Sequence, residues 1–597
     1  MSQAAVADQV PSWDLSDLYL GEDDPSIEED LNFSASEAAR LEGEFAGKLG
    51  DIDGDALAQL ISDYERVSER LGRIMSFAGL RHAGKRDDPE RGRFLQSMQE
   101  RANDISTKLL FVTLEINKLE DEALEEKLEQ SDMLAAYRPW LRNVRAFRPH
   151  QLSDEAERML HEKSVAGRSA WIRLFDETMA ELRFDFDGEA LTSPQIFDKI
   201  QDRDRAVRQK AASSIAETLS GRTTLFARIT NTLAKDKDVE DRWRSYPRPI
   251  SSRNLANRVE DEVVDALISA VKEAYPRLSH RYFQLKAKWL GLDRLATWDR
   301  NAPLPEDDDK RIGWDDAKVI VLDAYRSFSP KLADVLNPFF DKRWIDADLR
   351  PGKDSGAFCH STVPSVHPYV LMNYQGRARD VMTLAHELGH GVHQTLAAKQ
   401  GYFMSSTPLT LAETASVFGE QLTFQALLQR ETNPERRRIL LAAKIEDAIN
   451  TVVRQIAFVD FERQVHDARK KAELTPADLG DIWMAVQKES LGPAFEFDDN
   501  YRVFWSYIHH FIHVPFYVYA YAFGDCLVNA LYAVYQSEPD GFEAKYLELL
   551  EAGGTLWHTD LLAPFGLNAK DPAFWSRGLG VIETMVEQLA DELGAQA

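Results

Sequence analysis

Two cysteines in 597 residues, Cys359 and Cys526, are too few for a disulfide framework. The expectation is a reducing, cytoplasmic setting in which both are inert thiols. Long apolar runs are also missing: no uninterrupted stretch approaches the roughly 20 residues that spanning a bilayer needs. The opening MSQAAVADQVPSWDL has no basic region followed by an apolar run, so a soluble, non-secreted chain is expected. Positive charge is scarce. Seventy-one basic residues against 98 acidic ones leave a formal charge of −27, which repels phosphate backbones and anionic lipid and argues against nucleic-acid and membrane partners. The sequence has no internal repeat and no low-complexity tract.

What remains is an ordinary globular composition, 44% hydrophobic and 28% charged, in a chain long enough for two or three packed units. From about Ser34 to Ala234, charged and apolar residues alternate at helical spacing with few glycines, as in LAQLISDYERVSERLGRIMSFAGL, which predicts stacked helices. The segment RFDFDGEALTSPQIF, near 183–197, interrupts them with short alternation, a DG turn and Pro194, and marks a domain boundary. Asn301–Trp314 reads as an acidic loop, and helical spacing resumes near Asp315. Ser355–Gly376, SGAFCHSTVPSVHPYVLMNYQG, is rich in aromatic and β-branched residues with no helical period, and predicts a short β region. From Thr407 onward the pattern is helical again.

That β region leads into VMTLAHELGHGVHQTL, Val381–Leu396. On a helix, residues four apart lie about 6 Å along the axis and only about 40° around it, so His386 and His390 can close on one ion. Glu387 lies about 100° around from His386, out of line as a ligand but placed to reach a water on the metal. With 14 histidines in the chain, composition predicts only about 0.03 accidental HExxH matches. Gly389 and Gly391 each cost the helix about 1 kcal/mol relative to Ala, a cost that makes sense where something approaches the backbone closely. Asp380 is placed to cap the helix.

A hydrolytic zinc takes three protein ligands and keeps one position open. His393 lies about 10.5 Å along the axis from His386 and cannot complete the set on one straight helix, so packing or substrate contact is its expected role. The zincin extension HExxHxxGxxH fails, because Leu396 stands where its last histidine would be. A carboxylate from a second helix is the remaining option. In TPLTLAETASVFGEQLTFQALL, Glu413, Ser416 and Glu420 fall at i, i+3 and i+7 on an inward face. Glu413 is the candidate third ligand, against the alternative of a buried pair with an arginine, and Glu420 is expected behind the ligands, bonding a ligand histidine.

HELGH followed by AETAS resembles the zinc site of the oligoendopeptidase F branch of the thimet oligopeptidase family. The resemblance runs along nearly the whole chain, through WDLSDLY (Trp13–Tyr19), KAKWLGLDRL (Lys286–Leu295), SGAF before PYVLMNY, DVMTLAHELGH and PFYVYAYAFG (Pro515–Gly524). It implies a mainly α fold, two largely helical halves enclosing a deep channel, with a small β region beside the HExxH helix. It also implies a helical N-terminal domain over 1–190 and a catalytic domain over 191–597. The implied activity is zinc-dependent hydrolysis of internal bonds in short unstructured peptides, with one Zn²⁺ on His386, His390 and Glu413 and with Glu387 as general base.

The family also uses a histidine and tyrosines downstream to bind substrate and stabilise the oxyanion. Here that region is YIHHFIHVPFYVYAYAFG. His510 and His513 both stand in the right stretch; a helix would put Tyr517 and Tyr521 on one face, whereas alignment with the family favours Tyr519. His510 with Tyr517 or Tyr519 is assigned to catalysis, and His513 and Tyr521 to substrate binding together with Gly356 and Ala357. The strand HPYVLMNYQG is expected to pair with an extended peptide. Mn and Co also suit such ligands. The competing readings are a helical zinc carboxypeptidase and a peptide-binding protein with a vestigial metal site; the intact HELGH and Glu413 argue against the second.

Overall fold

The computed structural model describes residues 10–164, 166–304 and 311–594. Residues 305–310 of the expected acidic loop and the first nine residues of the opening segment lie outside them. Helix covers 70% of the chain, with little strand, as the helical spacing predicts. No helix among the described residues is long and apolar enough to cross a membrane.

The chain forms two compact units, each assembled from three segments. The first comprises Met1–Arg148, Asp309–Arg430 and Tyr535–Gly566; the second comprises Pro149–Asp308, Glu431–Val534 and Leu567–Ala597.

In the first unit the histidine helix spans Ala378–Ala397. Asp380 starts it, accepting hydrogen bonds from the backbone N–H groups of Arg377 at 3.0 Å and Gln375 at 2.8 Å, which satisfies donors that a helix start leaves unpaired. Val381, Leu384, Ala385, Leu388 and Val392 form its buried stripe, at the spacing of an amphipathic helix. The glutamate helix, Thr414–Arg430, is buried on nearly every side, as befits a core helix.

These two helices meet backbone to backbone. A Cβ on Gly389 would lie 2.5 Å from the Ala415 carbonyl oxygen and 2.5 Å from the Ser416 Cα, so only glycine permits the approach. Gly419 plays the same part against helix Trp314–Phe328: a Cβ there would fall 1.7 Å from the Tyr325 hydroxyl. That hydroxyl donates to the Ala385 carbonyl at 2.8 Å, one residue before His386. Phe328, Phe418 and Tyr546 close the floor with ring centroids 4.5 to 5.5 Å apart, and the Tyr546 hydroxyl donates to the Thr414 carbonyl at 2.8 Å.

The expected β region is a three-stranded sheet. Tyr369–Leu371 lies in the middle, parallel to Ile345–Asp346 on one side and antiparallel to Phe358–His360 on the other. This corrects the expectation that HPYVLMNYQG pairs with a peptide, since both edges of that strand are occupied. The edge on the histidine-helix side belongs instead to Phe358–His360, which continues directly from SGAF.

In the second unit, RFDFDGEAL forms the hairpin Phe184–Phe186 and Glu189–Leu191. Asp187 and Gly188 turn it with φ of 58° and 84°, the left-handed pair that a tight hairpin needs. Lys286, fully buried, is anchored to Glu446 at 2.5 Å, and Asp299 is held by Arg208 at 2.8 Å and Arg205 at 2.9 Å.

Gly389→Ala forces a methyl group into the facing backbone and should cost about 1 to 3 kcal/mol of stability. Denaturant unfolding measures it; a midpoint matching the unaltered protein would show that the helices yield without cost.

Candidate metal centre

The histidine helix presents His386 and His390 one turn apart, their rings 4.9 Å centroid to centroid and nearly perpendicular. Glu413 joins them from the residue just before the glutamate helix, where the backbone is already helical, with φ −80° and ψ 0°. Its Oε2 lies 3.3 Å from His386 Nε2 and 3.6 Å from His390 Nε2. Zinc bonds of about 2.0 to 2.1 Å in a tetrahedron place neighbouring ligand atoms about 3.3 to 3.4 Å apart, so both separations suit a common ion. Among the described residues this is the one His/Cys/Asp/Glu group whose ligand atoms converge, all within 4.8 Å of one another. Two neutral-capable imidazoles and a carboxylate are the donor set that zinc takes in hydrolytic sites.

Each ligand is oriented from behind. His386 Nδ1 shares a 3.1 Å hydrogen bond with Glu420 Oε2, leaving Nε2 directed at Glu413. The Ser416 hydroxyl donates to Glu413 Oε2 at 2.7 Å. His390 hydrogen-bonds the backbone of Ala412. Glu413, Ser416 and Glu420 thus share the expected inward face, and histidines, not an arginine, meet Glu413.

The electrostatics follow from this crowding. Burial disfavours the His386 imidazolium, but the Glu420 hydrogen bond and the charges of Glu413 and Glu420 outweigh it and raise its pKa to about 9. Burial also pushes the Glu413 carboxyl up, and the two histidines outweigh it, so it stays below its ordinary value. His390 falls to about 4, chiefly through burial. With no ion present, the Glu413 and Glu420 carboxylates draw a proton onto His386, and a metal cation would supply the positive charge in its place.

Glu387 is not one of the converging ligands. It is buried to 7% exposure and its carboxylate accepts a backbone hydrogen bond from Cys359 on the edge strand. Burial raises its pKa to about 7, against the lowering pull of His386. A carboxylate near neutrality can take and release a proton. Sequence reasoning assigned Cys359 no role; its main chain proves to be the support of Glu387. Both cysteines are free, and burial pushes both thiols up. His393 is 2% exposed with Nδ1 unpaired, and burial lowers it to about 4, the profile of a packed residue. Gly356 and Ala357 lie exposed just before the edge strand, with the Gly356 carbonyl accepting from Asn373 at 3.1 Å.

The downstream histidine and tyrosines belong to the second unit. His510, Tyr517 and Tyr521 form one cluster, with ring centroids 5.3 to 6.3 Å apart. The helix begins only at Tyr519, but a turn with Phe516 at φ 59° still brings Tyr517 over Tyr521. Tyr519 is elsewhere: fully buried, its hydroxyl accepts from Asn257 at 2.9 Å, and burial raises its pKa. His513 pairs with Asp176 at 2.8 Å. Asn257, far away in sequence, carries no local signal that would have revealed this division of labour.

Two family models match the chain: Peptidase family M3 over residues 323–581, which includes His386, Glu387, His390 and Glu413, and Oligopeptidase F over 115–184. The chain belongs to the oligopeptidase F branch of peptidase family M3. It is therefore a peptidase. It is 27% identical to oligopeptidase PepF of Bacillus subtilis, over 99% of this chain and 90% of that protein. A solved chain from Chlamydophila abortus shares its fold with a TM-score of 0.85 at 23% identity, covering 98% of this chain and 100% of that one. Oligoendopeptidase-F from Enterococcus faecium does so with a TM-score of 0.73 at 21% identity, covering 96% and 99%.

Glu420→Gln removes the charge behind His386 and should weaken zinc affinity by about 10- to 100-fold. Competition against a chromogenic chelator reads this out; unchanged affinity would rule out an orienting role for Glu420.

Proposed function

We propose that this M3 peptidase is a zinc-dependent oligoendopeptidase acting on short, unstructured peptides, with Glu387 as general base. The observation that carries the proposal is the meeting of His386, His390 and Glu413 at ligand spacing, with Glu387 alongside but outside the ligand set. The two histidines and Glu413 would hold the ion, which supplies Lewis acidity, lowering the pKa of water and polarising a carbonyl. Glu387 takes the proton from the attacking water and delivers it to the nitrogen of the leaving amine. Its buried seat, raised to about 7, equips it for both transfers. Glu420 and Ser416 hold the ligands in place.

His510 with Tyr517 or Tyr521 is proposed to donate hydrogen bonds to the developing oxyanion, since these side chains share one half-exposed cluster while Tyr519 is committed to Asn257. The edge strand Phe358–His360, entered through Gly356 and Ala357, is proposed to take an extended peptide by main-chain pairing. The names borne by the relatives, oligopeptidase and oligoendopeptidase F, support a small peptide as substrate. We propose a cytoplasmic site of action from the two free cysteines, and 1–190 and 191–597 as the functional division, the M3 match falling within the latter.

Glu387→Gln should retain stoichiometric zinc while lowering turnover at least about 10²-fold. Metal analysis and cleavage of a quenched peptide with an amidated C-terminus test both points together: full activity would remove Glu387 from the chemistry, and failure to cut the amidated peptide internally would indicate a carboxypeptidase.

Tyr517→Phe or Tyr521→Phe should lower kcat by about 10² to 10³ with little change in KM, whereas Tyr519→Phe should register mainly in stability. Equal, small kinetic effects at all three would show that none meets the oxyanion.

A further inference from the structure

A second concave site lies within the first unit, formed where the N-terminal segment packs on the body. The segment is pinned by its main chain: Asp14 N donates to the Arg343 carbonyl at 2.9 Å and Ala347 N to the Pro11 carbonyl at 2.8 Å. Arg343 Nε donates to the Ser12 carbonyl at 3.1 Å. Between this segment, the end of helix Gly54–Ala83, the start of helix Pro89–Thr107 and residues 343–350 opens a cleft of about 510 Å³. That volume lies in the range of small-molecule sites.

Its charge runs against that of the chain. In a protein of net charge −27, the lining holds five cations, Arg81, Lys85, Arg91, Arg343 and Arg350, against two carboxylates, Asp14 and Asp346. Asp346 is already engaged by Arg350 at 2.5 Å and by Lys353 at 2.9 Å. Arg81 is paired with Glu22 at 3.1 Å, but its Nε is buried without a hydrogen-bond partner. Lys85 faces Asp88 electrostatically. Arg91 pairs with Asp88 at 3.5 Å; burial nevertheless lowers its pKa, with Arg81 and Arg350 lowering it further and Asp88 and Glu22 pulling it back up. Guanidinium groups that repel one another in a partly desolvated cleft are stabilised by a multiply charged anion, and arginine's fork suits phosphate oxygens. Beside the cations lie the part-exposed Trp13 and the exposed Leu20, backed by the buried Tyr19 and Phe77, an apolar wall that a bare inorganic ion does not use.

We propose that this cleft is a binding site for a phosphate group, held by Lys85, Arg91 and Arg343, with the apolar wall receiving the organic body of a small phosphorylated molecule. The proposal is independent of the metal centre, since none of these residues belongs to it.

Calorimetric titration of the full-length, metal-loaded protein with AMP, inorganic phosphate and adenosine tests it. Saturable one-to-one binding of AMP is expected, with adenosine at least about tenfold weaker, as loss of charge-assisted hydrogen bonds implies. AMP tighter than phosphate assigns an organic phosphate; equal affinity assigns free phosphate at the same cations. The double variant Lys85→Glu/Arg343→Glu should weaken AMP by at least about tenfold. Lys288→Glu/Lys545→Glu makes the same change in net charge at two exposed lysines outside the cleft and should leave binding unchanged. Retained peptidase activity shows that each variant is folded, and phosphate binding at the metal centre would be equal in both. No saturable binding of either phosphate probe, or equal losses in the two double variants, would overturn the site.

Discussion

The contact on which the candidate metal centre depends is one between two backbones. Because residue 389 has no side chain, the main chain of Ala415 and Ser416 comes within the space a Cβ would fill, and that approach sets how far Glu413 stands from the two histidines. A long acidic side chain on a loosely packed helix would lose rotamer entropy each time it met the metal. Here the residue enters an already helical backbone beside the contact, and its carboxylate is held by Ser416. Gly419 against Tyr325 repeats the device on the far side, and Tyr325 in turn grips the carbonyl just before His386. The ligands are placed by main-chain packing, with their own rotamers completing the fit.

The electrostatic character of the site follows from that rigidity. Three carboxylates, Glu387, Glu413 and Glu420, and two imidazoles are confined where water is scarce, and they respond differently because their neighbours differ. Glu413 faces both rings and stays ionised; Glu387 faces the edge strand and rises to about 7. Two glutamates of identical chemistry are thus shifted in opposite directions by what lies opposite each.

Much of this was readable before any coordinates. The HELGH spacing sets His386 and His390 one turn apart with Glu387 beside them through helix geometry alone, and i, i+3, i+7 spacing brings Glu413, Ser416 and Glu420 together. The DG turn at Asp187–Gly188 and the glycine-bearing histidine helix were legible because glycine marks places where backbone conformation or approach matters more than side chains. What escaped was whatever depends on distant partners. Tyr519 is held in the core by Asn257, 262 residues away, and no local pattern encodes that. The middle position of Tyr369–Leu371 was hidden because an apolar run reads the same in an edge strand as in a central one, and only the pairing of Ile345–Asp346 distinguishes them. The interleaving of the two units was invisible for the same reason.

That interleaving bears on when the enzyme comes into being during synthesis. The first unit draws its last segment, Tyr535–Gly566, from near the end of the chain, and Tyr546 in it anchors the Thr414 carbonyl beside Glu413. On the ribosome, the histidines emerge about 160 residues before this anchor, which at about 5 to 20 residues per second is a wait of about 8 to 32 seconds. Closing so long a loop is an entropic cost that its contacts offset only once they all exist. A nascent chain therefore carries the HELGH sequence without the packed floor beneath it until Tyr546 has been made and can reach the Thr414 carbonyl.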